Sequence, residues 1–143
     1  MILYLDTSAL VKLYIDEPGS KEVKAAVEAA RIVSTSRIAY VEARAGFARK
    51  FREGELTREE HDQMVKDLEE DWENYFIMEV SEGVVKLGGE LAERHPLRGF
   101  DAIHLASSLL LRDRTRLDVS FSCFDERLKS AAQAEGLIVQ GTG

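Results

Sequence analysis

Residues 1–10 read MILYLDTSAL. Ile2, Leu3, Tyr4 and Leu5 are apolar without alternation, the pattern of a strand covered on both faces, as in a parallel sheet flanked by helices. The run stops at a carboxylate, Asp6, followed by the hydroxyls of Thr7 and Ser8. A charge in that place is expensive to desolvate. Its meaning depends on where the other acids of the chain fall.

Outward from this stretch the pattern alternates. SALVKLYI (8–15) reads as a short helix broken at EPGS (17–20), and Ser20 is placed to cap a second helix, KEVKAAVEAA. RIVSTS (31–36) is a β-branched strand, followed by a longer helix over residues 37–54 that ends near Gly54. Thr57 and Glu60 have capping-box spacing and open an acidic helix whose inner stripe is Met64, Leu68, Trp72 and Tyr75. FIMEV (76–80) is a strand, and Ser81 starts a helix that runs to the stop at His95-Pro96. Residues 100–113 form a largely apolar helix and DVSFSCF (118–124) a strand. A helix over 125–136 then ends at Gly136, and LIVQ (137–140) closes the series. Strands alternating with helices predict an α/β sandwich around a mostly parallel sheet. No repeat, low-complexity stretch or linker interrupts the 143 residues, which are expected to form a single domain over 1–143.

The bulk numbers narrow the class. A chain with 45% hydrophobic and 31% charged residues has the composition of a soluble globular protein. No apolar stretch approaches the roughly 18 residues of a membrane span, and Met1 leads straight into a strand with no basic leader. One cysteine, Cys123, excludes an internal disulfide and a cysteine-based zinc site, so a reducing, cytoplasmic setting is expected. The net charge of −7 argues against a broad nucleic-acid footprint. Much of that charge, however, is gathered in residues 57–75.

In an open parallel sheet, ligands bind beyond the carboxyl ends of the strands. Asp6 lies at such an end, and so does Asp125, directly after VSFSCF. Glu42 stands four residues after Ile38 and three before Ala45, on an apolar helical face where a solvated glutamate is out of place. Asp101 falls in the first turn of a helix apolar enough to be buried. Each has a plain structural reading when taken alone. Asp6 and Asp125 suit helix caps, Asp101 a favourable first-turn acid, and Glu42 the edge of a stripe. His104 fits a hydrogen-bonded histidine near the core, Cys123 a small buried hydrophobe, and Thr7 and Ser8 ordinary helix-start residues. Their joint placement is what needs explaining. Two unit charges ~4 Å apart interact by about 4 kcal/mol at an effective dielectric of ~20. A divalent cation relieves that repulsion. Oxygen ligands without cysteine or a histidine pair point to Mg²⁺ or Mn²⁺, and such a centre suits phosphoryl transfer.

The segments ILYLDTSALVKLY, AYVEARAGFAR, FDAIHLASSLLL and FSCFDERLKSAAQAEGLIV together resemble a PIN-domain ribonuclease, most closely the VapC-type toxin of VapBC toxin–antitoxin systems. The likeness runs in order over nearly the whole chain. It implies a three-layer α/β/α sandwich with a five-stranded parallel sheet. It also implies a homodimer and an antitoxin that masks the site with a basic side chain. The family's acidic positions fall on Asp6, Glu42, Asp101 and Asp125, where they hold Mg²⁺ or Mn²⁺ while water attacks an RNA phosphodiester. Ser8 matches the hydroxyl that supports the cluster. One position departs: Cys123 stands where many relatives carry threonine or serine, so support for Asp125 falls to Ser122 or to backbone. Arg37, Arg44, Arg49 and Lys50, with Arg94, His95 and Arg98, are placed to form a basic rim for phosphates, or simply a solvated mix of charges.

Two other classes are open to this pattern. An aspartyl-phosphate enzyme also carries an aspartate after its first strand, but DTS lacks the second aspartate at +2, and IVSTS and FIMEV end without a phosphoacceptor. A PIN-like binding module with degraded chemistry is the other, and the presence of all four acids argues against it.

Overall fold

The computed structural model describes residues 1–140, so the last three residues of the expected 1–143 domain lie outside the described residues. Five strands form one sheet: β1 (Ile2–Leu5), β2 (Ile32–Ser36), β3 (Phe76–Met78), β4 (Val119–Ser122) and β5 (Ile138–Val139). Seven helices connect them: α1 (Thr7–Val11), α2 (Ser20–Ala29), α3 (Arg37–Arg52), α4 (Arg58–Trp72), α5 (Glu82–Arg94), α6 (Gly99–Thr115) and α7 (Glu126–Ala134). The spatial order is β3-β2-β1-β4-β5 and every pairing is parallel. The expected α/β sandwich and its five-stranded parallel sheet are both present.

β1 is the central strand, and its residues divide between the two faces with the period of two that a pleat imposes. Ile2 and Tyr4 enter a core with Leu105 of α6, Leu91 of α5, Phe121 of β4 and Leu128 of α7. Leu3 and Leu5 face the other way, onto Leu10, Val23, Ala43, Phe47 and Leu68. Helices α1–α4 therefore cover one face and α5–α7 the other, which is why the first strand shows no polar alternation. From β1 the chain builds outward through β2 to β3, then returns to place β4 on the other side of β1. The switch point lies between β1 and β4, and their carboxyl ends open the crevice where an α/β sheet receives ligands.

The local stop and start signals act as their chemistry requires. Thr57 and Glu60 form a reciprocal capping box on α4, Ser81 caps α5, and Gly136 takes φ of +90° after α7. Two expectations need correction. The helix expected over 8–15 is α-helical only to Val11, because the amides of Lys12, Leu13 and Tyr14 bond three residues back and tighten the turn. Ser20 is the first residue of α2 and not its cap. The cap position is Gly19 at φ +98°, while Ser20 Oγ donates to the Ile15 carbonyl and accepts from the Glu17 amide, tying the preceding loop together. Among the described residues, no helix is long and apolar enough to cross a membrane.

Candidate active site

The carboxyl ends of β1 and β4, with the facing turns of α3 and α6, enclose a pocket of about 240 Å³. Asp6, Thr7, Ser8, Glu42, Arg98, Asp101, His104, Phe124 and Asp125 line it. The four acids singled out in the sequence, drawn from positions as far apart as 6 and 125, thus border one cavity together with Ser8. A larger cavity of about 600 Å³ lies at the opposite, amino edge of the sheet, beside Ile32 and Phe76. It gathers one acid, Asp71. The concentration of chemistry, not size, singles out the smaller pocket.

Asp6 is 4% exposed. Its Oδ1 accepts from Ser8 Oγ at 2.7 Å and from the Ala9 amide at 2.9 Å, so the residue caps α1 and lines the pocket at once. Burial pushes its carboxyl above the ordinary range. The nearby His104 and the two donors offset part of this, and the charge of Asp101 adds to the rise. Asp125 likewise caps a helix: its Oδ1 accepts from the Leu128 amide at 3.0 Å. This answers the Cys123 departure. The thiol is buried, with its pKa pushed up by desolvation, and meets the Asp125 backbone amide, while the Leu128 amide holds the Asp125 carboxylate.

Glu42, half-buried on α3, accepts from Thr7 Oγ1 at 2.5 Å. His104 Nε2 stands 3.3 Å from the same carboxylate oxygen and 3.0 Å from Thr7 Oγ1. Burial alone would raise the Glu42 carboxyl, but the hydrogen bonds from His104 and Thr7 prevail and hold it below the ordinary range. The other ring nitrogen, His104 Nδ1, meets the Tyr4 hydroxyl at 2.8 Å. Tyr4 is fully buried and desolvation keeps its phenol protonated, so its O–H is available to donate. Nε2 in turn faces Glu42 and Thr7, so the two ring nitrogens divide between the phenol and the Thr7–Glu42 pair. Three residues on β1, α1 and α6 in this way fix one carboxylate on α3.

Asp101 and Asp125 share a single cation. Arg98, 82% exposed at the start of α6, places Nε 3.4 Å from Asp101 and Nη2 3.8 Å from Asp125. It is the only member of the expected basic rim that lines the pocket. Arg37 pairs with Glu79, Arg44 with Glu69, Lys50 with Glu55, and Arg94 and His95 with Glu135. Among the described residues, no three of His, Cys, Asp or Glu converge as a preassembled coordination shell. The acids border one space, each held by its own protein donors. Sequence reasoning left Thr7, His104 and Phe124 outside the site. His104 carried one signal, its position three residues after Asp101 on the same face of a helix.

Residues 3–133 match the PIN domain family. Ribonuclease VapC49 of Mycobacterium tuberculosis (strain ATCC 25618 / H37Rv) is 37% identical over 139 residues, which cover 94% of this chain and 92% of that protein. Among solved structures, the chain resembles Mycobacterium tuberculosis VapC20, a Sarcin-Ricin loop cleaving toxin. The TM-score is 0.67 at 15% identity, over 95% of this chain and 96% of that one. It also resembles VapBC2 from Rickettsia felis, solved bound to a DNA fragment from its promoter. Here the TM-score is 0.66 at 15% identity, over 98% of both chains. At these identities the two structures speak to fold alone.

Proposed function

The chain belongs to the PIN-domain family, in its VapC branch, and from that premise we propose that it is a divalent-metal-dependent ribonuclease, the toxin of a toxin–antitoxin pair. The observation that carries the reading is the shared pocket of Asp6, Glu42, Asp101 and Asp125 at the switch point of the sheet. The donor set fits the family's cofactor class. Four carboxylates offer hard oxygen donors, the Ser8 hydroxyl supports one of them by hydrogen bonding, and no cysteine lines the pocket. When bound among these acids, Mg²⁺ or Mn²⁺ supplies charge stabilisation on phosphate oxygens and acidifies a coordinated water.

The chain's own residues do the rest. Ser8 and the Ala9 amide hold Asp6 in one rotamer, and Thr7 and His104 do the same for Glu42, so the acids meet the metal and substrate already oriented. Glu42, kept ionised by its two donors, is suited to receive a proton from the attacking water. The water oxygen bonds to phosphorus, the phosphorus–oxygen bond to the neighbouring ribose breaks, and the departing oxygen takes up a proton. Arg98 is within reach of a phosphate at the mouth and would exchange Asp101 and Asp125 for it. An RNA substrate and an antitoxin partner belong to this proposal, supported by a relative named as a ribonuclease and by a neighbouring fold solved as a toxin–antitoxin complex. So do a homodimeric state, a cytoplasmic setting and the treatment of residues 1–143 as one PIN domain.

The test is cleavage of end-labelled cellular RNA by the purified chain in Mg²⁺ or Mn²⁺ and in EDTA, beside Asp101→Asn. Cuts are expected that need both the metal and Asp101. Equal cutting in EDTA, or by the variant, removes the reading. Arg98→Ala adds a second readout. Loss of a cation that competes for Asp101 and Asp125 should tighten Mn²⁺ binding, measured by titration calorimetry, by up to about fivefold, the equivalent of an exposed ion pair. Weaker Mn²⁺ binding by this variant would show that Arg98 supports the acids and does not compete for them.

A further inference from the structure

Phe124 immediately precedes Asp125, and its ring lines two cavities at once. One is the acidic pocket. The other, about 260 Å³, is lined by Gly19, Glu22, Val23 and Ala26 around α2 and by Ser122 and Gln140 at the strand ends. Phenylalanine at a strand end ordinarily turns into a core, yet Phe124 is 37% exposed and joins neither hydrophobic cluster. The fold holds it in place. A Cβ built on Gly19 would lie 2.6 Å from Phe124 Cε1, so the ring rests against loop backbone that only glycine leaves clear. The ammonium groups of Lys12 and Lys129 lie over the ring, 4.5 Å and 5.7 Å from its centre.

A partly exposed ring, two ammonium groups over it that a phosphate can draw aside and an adjoining acidic pocket form a combination that single-stranded nucleic acid can engage, with a base taking the place of the cations on the ring and backbone phosphate on the cations. We propose that Phe124 and its cavity are a nucleobase subsite: the base of a nucleotide adjoining the scissile phosphate stacks on the Phe124 ring and enters this cavity. The inference rests on the ribonuclease reading and narrows it to unpaired RNA, because a base held in a duplex cannot reach the ring. The cavity lies just under the roughly 300–1,000 Å³ of pockets for drug-sized ligands, a scale that suits one base. Glu22 and the Gln140 side-chain carbonyl supply acceptors for its amino or ring N–H groups. Lys12 and Lys129 each also pair with a carboxylate, Glu17 and Glu126 respectively, which keeps them over the ring in the absence of RNA.

The experiment uses the full chain with Phe124→Leu and Phe124→Trp. A randomised single-stranded RNA is cleaved in Mn²⁺ and its cut sites are sequenced. A preferred site is then resynthesised with an abasic nucleotide on either side of the cut bond. Binding of the same oligonucleotides in EDTA is read by fluorescence anisotropy. Phe124→Leu is expected to bind and cut about 10- to 100-fold less well, the usual effect of losing one base–aromatic stack, with an unchanged thermal melt. Phe124→Trp should retain the parent's performance. One abasic position should impair the parent by a similar factor and Phe124→Leu no further. Should the leucine variant fold poorly, the tryptophan variant and the abasic arm still decide the matter. Cutting by a folded Phe124→Leu within twofold of the parent, or indifference of the parent to both abasic positions, overturns the subsite and leaves the nuclease standing. A leucine variant that cuts normally but changes its sedimentation would assign the ring to a contact between copies, and that too overturns the proposal. A parent that cuts no RNA overturns the ribonuclease reading, and the subsite with it.

Discussion

Asp6→Asn is expected to lose RNA cleavage by more than about a hundredfold, beyond the 10- to 100-fold typical of changing a group that merely orients a metal ligand, while its metal-free fold is at least as stable as the parent's. The two halves follow from the same burial. Asp6 is nearly inaccessible, and desolvation pushes its carboxyl upward, so the ionised form is a cost to the fold that asparagine does not carry. Asparagine caps helices as well as aspartate does, and its side-chain oxygen can still accept from the Ala9 amide and from Ser8. What it removes is the negative charge and one fully basic carboxylate oxygen at the pocket. Urea titration in EDTA beside cleavage assays in Mn²⁺ measures both. A variant that cuts like the parent would reduce Asp6 to a helix cap. One destabilised in EDTA by more than about 1 kcal/mol, the usual worth of a cap, would mean that the ionised carboxylate itself holds the loop.

Phe121→Ala should destabilise the fold by about 3–5 kcal/mol, the range for truncating a buried phenylalanine. That is a large share of the roughly 5–15 kcal/mol that holds a domain together. Phe121 is fully buried on β4 and stacks on Tyr4 of the neighbouring β1, with ring centres 5.5 Å apart and planes 3° from parallel. Tyr4 in turn meets His104 edge-on at 5.8 Å and through its hydroxyl. A cavity at Phe121 therefore loosens the group that orients His104 against Glu42, and stability and site geometry should fall together. The unfolding midpoint in urea reports the first, and the imidazole proton resonances of His104 the second. A loss below about 1 kcal/mol would show that the core collapses around the gap and that the stack is dispensable.

The contrast between these two sites reflects what was readable beforehand. Strand and helix alternation, the Thr57–Glu60 capping box, the cap at Ser81 and the stop at Gly136 are all visible in the chain, because periodicity and caps act within a few residues. The shortened α1 and the displaced cap at Ser20 were not. Both depend on hydrogen bonds made by the 12–20 loop after it folds back on itself. The acids were noticed from their positions at strand ends and helix starts, and Asp6 and Asp125 prove to be caps as well as pocket residues, so the plain and the functional readings were never exclusive.

Of the basic residues near those acids in sequence, Arg98 alone faces the pocket, while Arg37, Arg44 and Arg94 are drawn off by carboxylates on other elements. Helical spacing cannot show which side of a helix will find a partner. By itself, then, the sequence determined the class of fold, the ends of most elements and the residue types available at the carboxyl edge, since each follows from short-range pattern. Only the tertiary structure decided that Thr7, Tyr4 and His104 orient Glu42, that Phe124 divides two cavities, and that the Leu128 amide caps the Asp125 carboxylate. Those contacts join residues up to 100 positions apart through the order β3-β2-β1-β4-β5. That order is set by how two apolar faces of one sheet are buried together, and no local stretch of the chain encodes it.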